Sequence, residues 1–183
     1  MSQAIMLSIR PEYCKLITIG HSVTGTMKTL ELRKSRPKIE PPFKVYIYET
    51  KGIDKTRLEV CLDNTNQSRY YRGKGKVIGE FICDKIYQYT TNNNKTGVDI
   101  SDADIEKMSL LTMDQIEIYE EGKIDDFCLS YYGLYCWHIS NLKVYHNPKE
   151  LTEFTKLRKT KFGLEPTELN RAPQNWCYVE ALS

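Results

Sequence analysis

The longest strand signal in the chain, Val77 to Tyr89 (VIGEFICDKIYQY), narrows the possible folds more than any other stretch. Its β-branched and aromatic residues suit a pleated, covered surface, and Gly79 inside it predicts a bulge or a close approach of another backbone. Four further stretches share its character: Ala4–Ile9, Phe43–Thr50 (FKVYIYET), Leu134–His146 (LYCWHISNLKVYH) and the turn Pro173–Trp176 entering a last strand through Val179. Between them lie short helical segments, with neither a βαβ alternation nor an internal repeat. The expected class is α+β: five to six strands in a small mixed barrel or strongly curved sheet, with peripheral helices.

The helices have readable ends. Pro11 suits a first helical position, Gly20 a residue just past the last turn, and Tyr13, Leu16 and Ile17 fall at helical spacing between them. Free N–H groups at that start, with Arg10 beside them, suit an anion, unless Arg10 pairs with a nearby carboxylate. Ser101 with Asp104 three residues on predicts a second helix start, and Met113, Ile116 and Tyr119 mark a third helix ending near Glu121. These two acidic helices are expected to cover one sheet edge. Pro148 predicts a further short helix, 149–154, and Lys156 to Lys161 a basic patch on a loop or short helix. The run 34–42 is a proline-broken turn, and 90–97 a loop with its tip at Asn92, Asn93 and Asn94.

One short strand carries the polar residues that most invite a function. In Lys28-Thr29-Leu30-Glu31-Leu32-Arg33, period two sets Glu31 and Arg33 side by side, with Leu30 and Leu32 on the opposite, core face. Lys28 stands at the loop end, free to curl over either face. Such a pair is either an ordinary cross-strand ion pair or the floor of a site. Residues 51–75 are polar without a clear period and read as an insertion leaving the core. Within and just after it, Arg69, Tyr70, Tyr71, Arg72, Lys74 and Lys76 interleave cations with rings, as a nucleic-acid contact does, or form a solvated hairpin flank.

With 183 residues, 27% charged and 40% hydrophobic, the chain has the size and composition of one globular domain. No apolar run approaches the ~20 residues of a membrane helix. The N-terminus shows no secretory pattern, and the six cysteines (14, 61, 83, 128, 136 and 177) form no Cys-x-x-Cys pair, so reduced thiols in a cytoplasm are expected. The net charge of +2 hides a segregation. Asp99 to Asp126 holds ten acids and two lysines, leaving the remainder strongly positive. One face is thereby open to a polyanion, and the acidic segment to a basic protein partner. Zinc-deaminase, P-loop, dinucleotide-binding and nucleophile-elbow patterns are all missing. Cys136 and His138 share a strand face, but two ligands make no metal site, and neither metal nor cofactor is expected.

The order Leu7-Ser8-Ile9-Arg10-Pro11, a helix ending at Gly20, then Lys28 to Arg33, resembles the ASCH domain of the PUA-like superfamily. That family carries a Gly-x-Lys-x-x-Glu-x-Arg segment after its first helix. Val77–Phe81, Tyr135–Ile139 and Pro173–Trp176 resemble later family features, so the likeness runs from about residue 4 to residue 180. Thr26 stands where the motif has Gly, and 21–27 reads as an insertion. The resemblance implies a PUA-like barrel whose cleft, lined by the motif, binds RNA or a modified nucleoside. Arg10, Lys28 and Arg33 would supply charge there. Glu31 would accept from a base edge, and Tyr48 or Trp137 would offer a stacking face. A related group hydrolyses N4-acetylcytidine with a Lys, a Thr three residues later and a distant Glu. Here that third position is Glu31, so the triad does not transfer. A small hydrolase of modified nucleosides or a ribonuclease, using Lys28 and Glu31, remains the alternative.

Overall fold

The computed structural model describes residues 2–60, 68–91, 97–121, 133–161 and 163–182. The loop tip at 92–94, the last acids of the 99–126 segment, Cys61 and Cys128 lie outside them. Among the described residues ten strands are formed: β1 (Gln3–Ile9), β2 (Leu30–Arg33), β3 (Phe43–Glu49), β4 (Ile53–Val60), β5 (Ser68–Arg72), β6 (Lys76–Tyr89), β7 (Leu134–Lys149), β8 (Thr155–Thr160), β9 (Gly163–Glu168) and β10 (Trp176–Glu180). Three α-helices accompany them: α1 (Pro11–Thr18), α2 (Asp102–Ser109) and α3 (Met113–Glu121).

Eight strands form one mixed sheet in the order β2-β7-β6-β3-β1-β10-β8-β9, parallel only between β1 and β3. β4 and β5 make a separate two-stranded hairpin. The expected barrel of five to six strands therefore needs correction: the ladder is open, running from β2 to β9. Curvature is nonetheless strong. β2 stands four places from β1 in the ladder, yet Arg33 on β2 donates to the Ser8 carbonyl on β1 at 2.9 Å, so a side chain spans the gap that backbone pairing leaves open. Three register shifts between β6 and β7 supply the bend. At Gly79 the strands come so close that a Cβ would fall 2.6 Å from the Lys143 carbonyl oxygen.

Two further expectations fail for a common reason. β7 runs on through Pro148 to Lys149, leaving only a 3-10 turn at Leu151–Glu153 where a helix was expected. The basic stretch after Lys156 is strand β8, paired with the exposed edge strand β9. β8, covered on its outer side only by the exposed edge strand β9, turns one residue, Leu157, into the core, and the charged composition of both strands hides the period. Both faces of the central strands are covered. Leu7, Ile9, Val45, Ile47, Phe81 and Trp137 pack with Cys14 and Ile17 of α1. Met6, Tyr46, Val77, Phe154 and Val179 fill the opposite side. The buried stripe of α1 is thus Pro11, Cys14 and Ile17, and Tyr13 and Leu16, expected within it, are half-buried. α2 and α3 lay Ile105 and Ile116 over Leu30 and Leu32, covering the edge strand β2 as the sequence suggested. No described helix is long and apolar enough to cross a membrane.

Candidate functional site

A cleft of about 440 Å³ opens between the start of α1 and the α2–α3 wall, with β2 as its floor. Period two on β2 delivers Glu31 and Arg33 to it, while Leu30 and Leu32 anchor the strand behind. Lys28 joins them because its backbone N–H donates to Leu16 at the end of α1, and the neighbouring Thr29 N–H donates to Met108 in α2. Its ammonium then reaches the carbonyl of Ser109, the last residue of α2, at 3.1 Å, where the helix dipole favours a cation. Lys28, Glu31 and Arg33 are all buried. Arg33 Nη2 lies 2.8 Å from Glu31 Oε1, and Lys28 Nζ 3.5 Å from Glu31 Oε2, so one carboxylate stands between two cations. Burial lowers the Lys28 pKa from the usual lysine value, and the adjoining Glu31 opposes that shift.

Arg33 is committed inside the protein. Nη1 donates to Asn175 Oδ1 at 2.8 Å, and Nη2 is shared between Glu31 and the Ser8 carbonyl. Asn175 is held in turn by Ser35, to which Trp176 also donates. Of the three Arg33 nitrogens, the buried Nε–H alone lacks a partner among the described residues. The arginine expected to grip a ligand is chiefly a strut across the sheet opening. Arg10, at the mouth, is its opposite: its side chain is 75% exposed and touches Glu12 only at 4.0 Å.

The stacking faces expected from the sequence are elsewhere. Trp137 pairs directly across from Glu31 in the ladder, but Phe43 and Trp176 cover its ring edge-on and tilted, leaving it 0% exposed. Tyr48 packs with Met6 and Val77 in the core on the other side and does not line the cleft. The aromatic walls are instead Tyr13 and Tyr119, the latter fixed by a hydrogen bond from its hydroxyl to the Leu32 carbonyl and by Lys34 over its ring. Burial raises both phenol pKa values, which keeps them neutral donors. Asn175, Gln174 and Gln115 add amides to the rim. Sequence alone marked Tyr13 and Tyr119 only as helix-face residues, and the closing turn only as a turn.

Of the residues expected at nucleic acid, Arg69, Arg72 and Lys74 lie on or beside β5, outside the cleft and exposed. Lys76 is engaged by Glu150 at 2.7 Å. His138 contacts Asp84 at 2.7 Å, and Cys136 is buried behind β2. Cys14, Cys83, Cys136 and Cys177 are free thiols.

No family model and no curated protein matches the chain. Among solved structures it is similar to the ASCH protein of Zymomonas mobilis. A mutant form gives 18% identity and a TM-score of 0.48, over 97% of this chain and 88% of that one. The unmutated protein gives 14% identity and a TM-score of 0.46, over 97% and 87%. Identity this low carries no information about the chemistry of the cleft.

Proposed function

We propose that the cleft is a recognition site for RNA or a modified nucleoside. The observation that carries this reading is the buried Lys28–Glu31 pair beneath two tyrosines, inside a cavity of the size small ligands occupy. Glu31 keeps acceptor capacity on both oxygens for a base N–H, and Lys28 can donate to a base carbonyl. Tyr13 and Tyr119 offer ring faces, and the excess of one positive charge in the trio, with Arg10 outside, suits an electron-rich or anionic ligand. The sequence resemblance of Lys28 to Arg33 to the ASCH motif supports the same ligand class.

A hydrolase is the second reading, and one observation favours it. The Lys28 amine has a lowered pKa and lies within proton-transfer reach of Glu31, as a general base or an electrostatic partner requires. One experiment addresses both. The protein is titrated with nucleosides, including N4-acetylcytidine, and followed for turnover, alongside Lys28→Met and Glu31→Gln. A binding module loses about 1–3 kcal/mol of affinity in Lys28→Met, tolerates Glu31→Gln and turns nothing over. Turnover abolished by Glu31→Gln with binding intact would replace the first reading by the second. Absence of any Lys28-dependent binding would remove both.

A further inference from the structure

The β4–β5 hairpin is attached next to the cleft but built unlike the rest of the molecule. Its inner face is pinned. Tyr71 Oη and the Lys74 N–H both donate to the buried Glu49 at 2.8 Å, and Gly73 N–H donates to Gly52. Gly73 sits so tightly on the chain that a Cβ would fall 1.9 Å from the Thr50 carbonyl oxygen and 2.6 Å from Pro11 Cγ. Thr50 lines the cleft, and Pro11 follows Arg10 at its mouth, so the hairpin base shares the cleft rim.

Its outer face is apolar and cationic. Leu58 is 65% exposed and its cross-strand partner Tyr70 52%, with the exposed Ile53 opposite Arg72 beyond the register shift between Asp54 and Leu58. A concavity of about 450 Å³ lies there, lined by Ile53, Glu59, Arg69, Tyr70 and Arg72. Of the described acids on the hairpin, Asp54 is fully buried and Glu59 is engaged by Arg57 at 3.2 Å. Lys51, Lys55, Arg69, Arg72 and Lys74 are exposed, and among the described residues none of them has a carboxylate in ion-pair reach. A solvated flank gains nothing from an exposed ring beside cations that have no carboxylate partner among the described residues. A chain of phosphates carrying bases satisfies both at once.

We infer that the ligand is a single-stranded RNA segment, with one base in the cleft and its neighbours on the hairpin. Tyr70 is the stacking surface there, and Arg69, Arg72 and Lys74 meet the phosphates. This extends the nucleobase reading of the cleft and rests on it. Substrate class follows: a polymer binds both surfaces, whereas a free nucleoside reaches only the cleft.

The test compares uridine, and oligouridylates of increasing length, on the wild type, Tyr70→Ala, the triple Arg69→Gln/Arg72→Gln/Lys74→Gln and Lys28→Met. Heparin and polyglutamate serve as base-free polyanions. Affinity is expected to climb with length in the wild type. Tyr70→Ala is expected to lose about 5- to 100-fold for the oligomer and nothing for uridine. The triple variant is expected to flatten the slope of log affinity against log salt by about 2. Tyr70 is exposed while the anchors Tyr71 and Glu49 are untouched, so these variants keep the hairpin in place. Oligomer affinities unchanged within twofold would overturn the inference, as would heparin or polyglutamate binding as tightly as RNA. Lys28-dependent uridine binding without any length effect would sink the hairpin platform alone. A length effect that is independent of Lys28 would sink the cleft reading, and with it the joint placement.

Discussion

Replacing Arg33 with Ala separates a strut from a surface ion pair. Its side chain is only 10% exposed and makes three charge-assisted bonds, to Glu31, to the Ser8 carbonyl and to Asn175. An exposed pair of the same residue types contributes about 0–1 kcal/mol. Deleting one partner of a buried pair costs about 3–5 kcal/mol, because the remaining charge is stranded. Lys28, at 3.5 Å from Glu31, keeps that carboxylate partly compensated, which places the expected loss near the lower figure, about 3 kcal/mol. With a urea slope of about 2 kcal/mol/M, the unfolding midpoint should fall by about 1–2 M without a change in slope. Arg33→Lys should recover only part, since an ammonium cannot span the Ser8 carbonyl, Glu31 and Asn175 together. In a double-mutant cycle with Glu31→Gln, the two losses should be strongly non-additive. A loss below 1 kcal/mol in Arg33→Ala, with additive behaviour, would refute the strut.

Burial pushes Cys83 and Cys136 up to about 12 and Cys177 to about 11. A raised folded-state thiol pKa gives stability that is whole below the unfolded value near 9 and lost as pH climbs towards the folded value, so unfolding free energy should fall steadily from about pH 9 upward. Urea titrations across that range check it, and a flat profile would contradict it. Ser101→Ala removes the hydroxyl that accepts from the Asp104 N–H at the start of α2, and should cost about 1 kcal/mol in the same assay. Gly73→Ala should lift the hairpin off Thr50 and Pro11, seen as faster proteolytic cutting within 51–76 than in the wild type.

Local periodicity made much of the fold readable. The limits of α1, the cap at Ser101, the strands through Phe43, Val77 and Leu134 and the bulge at Gly79 all follow from residues within a few positions of each other. The shared face of Glu31 and Arg33 follows the same way. What escaped is set by distant residues. Ser8 and Asn175, which consume Arg33, lie 25 and 142 positions from it. Trp137 alternates as a strand residue should, but its period cannot say that Phe43 and Trp176 bury it. Tyr13 failed in the opposite sense. Helical spacing put it on the buried stripe, and the turn of α1 about Cys14 and Ile17 brought it half out, into the cleft.

The same distance explains why a short edge strand holds the charged residues. β2 is four residues long and, among the described residues, pairs with β7 alone, so its ladder fixes little. An apolar β2 would be held only by its four-residue ladder to β7 and by packing, whereas the Arg33 fork accepts one geometry of Ser8, Glu31 and Asn175. Buried ion pairs seldom stabilise a protein more than well-packed apolar residues of similar volume would. Two charges of one sign and one of the other, carried at the bottom of a cleft, are therefore poorly accounted for by stability alone. Position supplies the missing reason. The strut holds Glu31 from one side and the end of α2 holds Lys28 from the other, so the pair is presented to the cavity in a fixed arrangement before any ligand arrives. On the proposed reading of the cleft, polar groups preorganised in this way would recognise a ligand without reorganising, an advantage that would offset the desolvation of the trio.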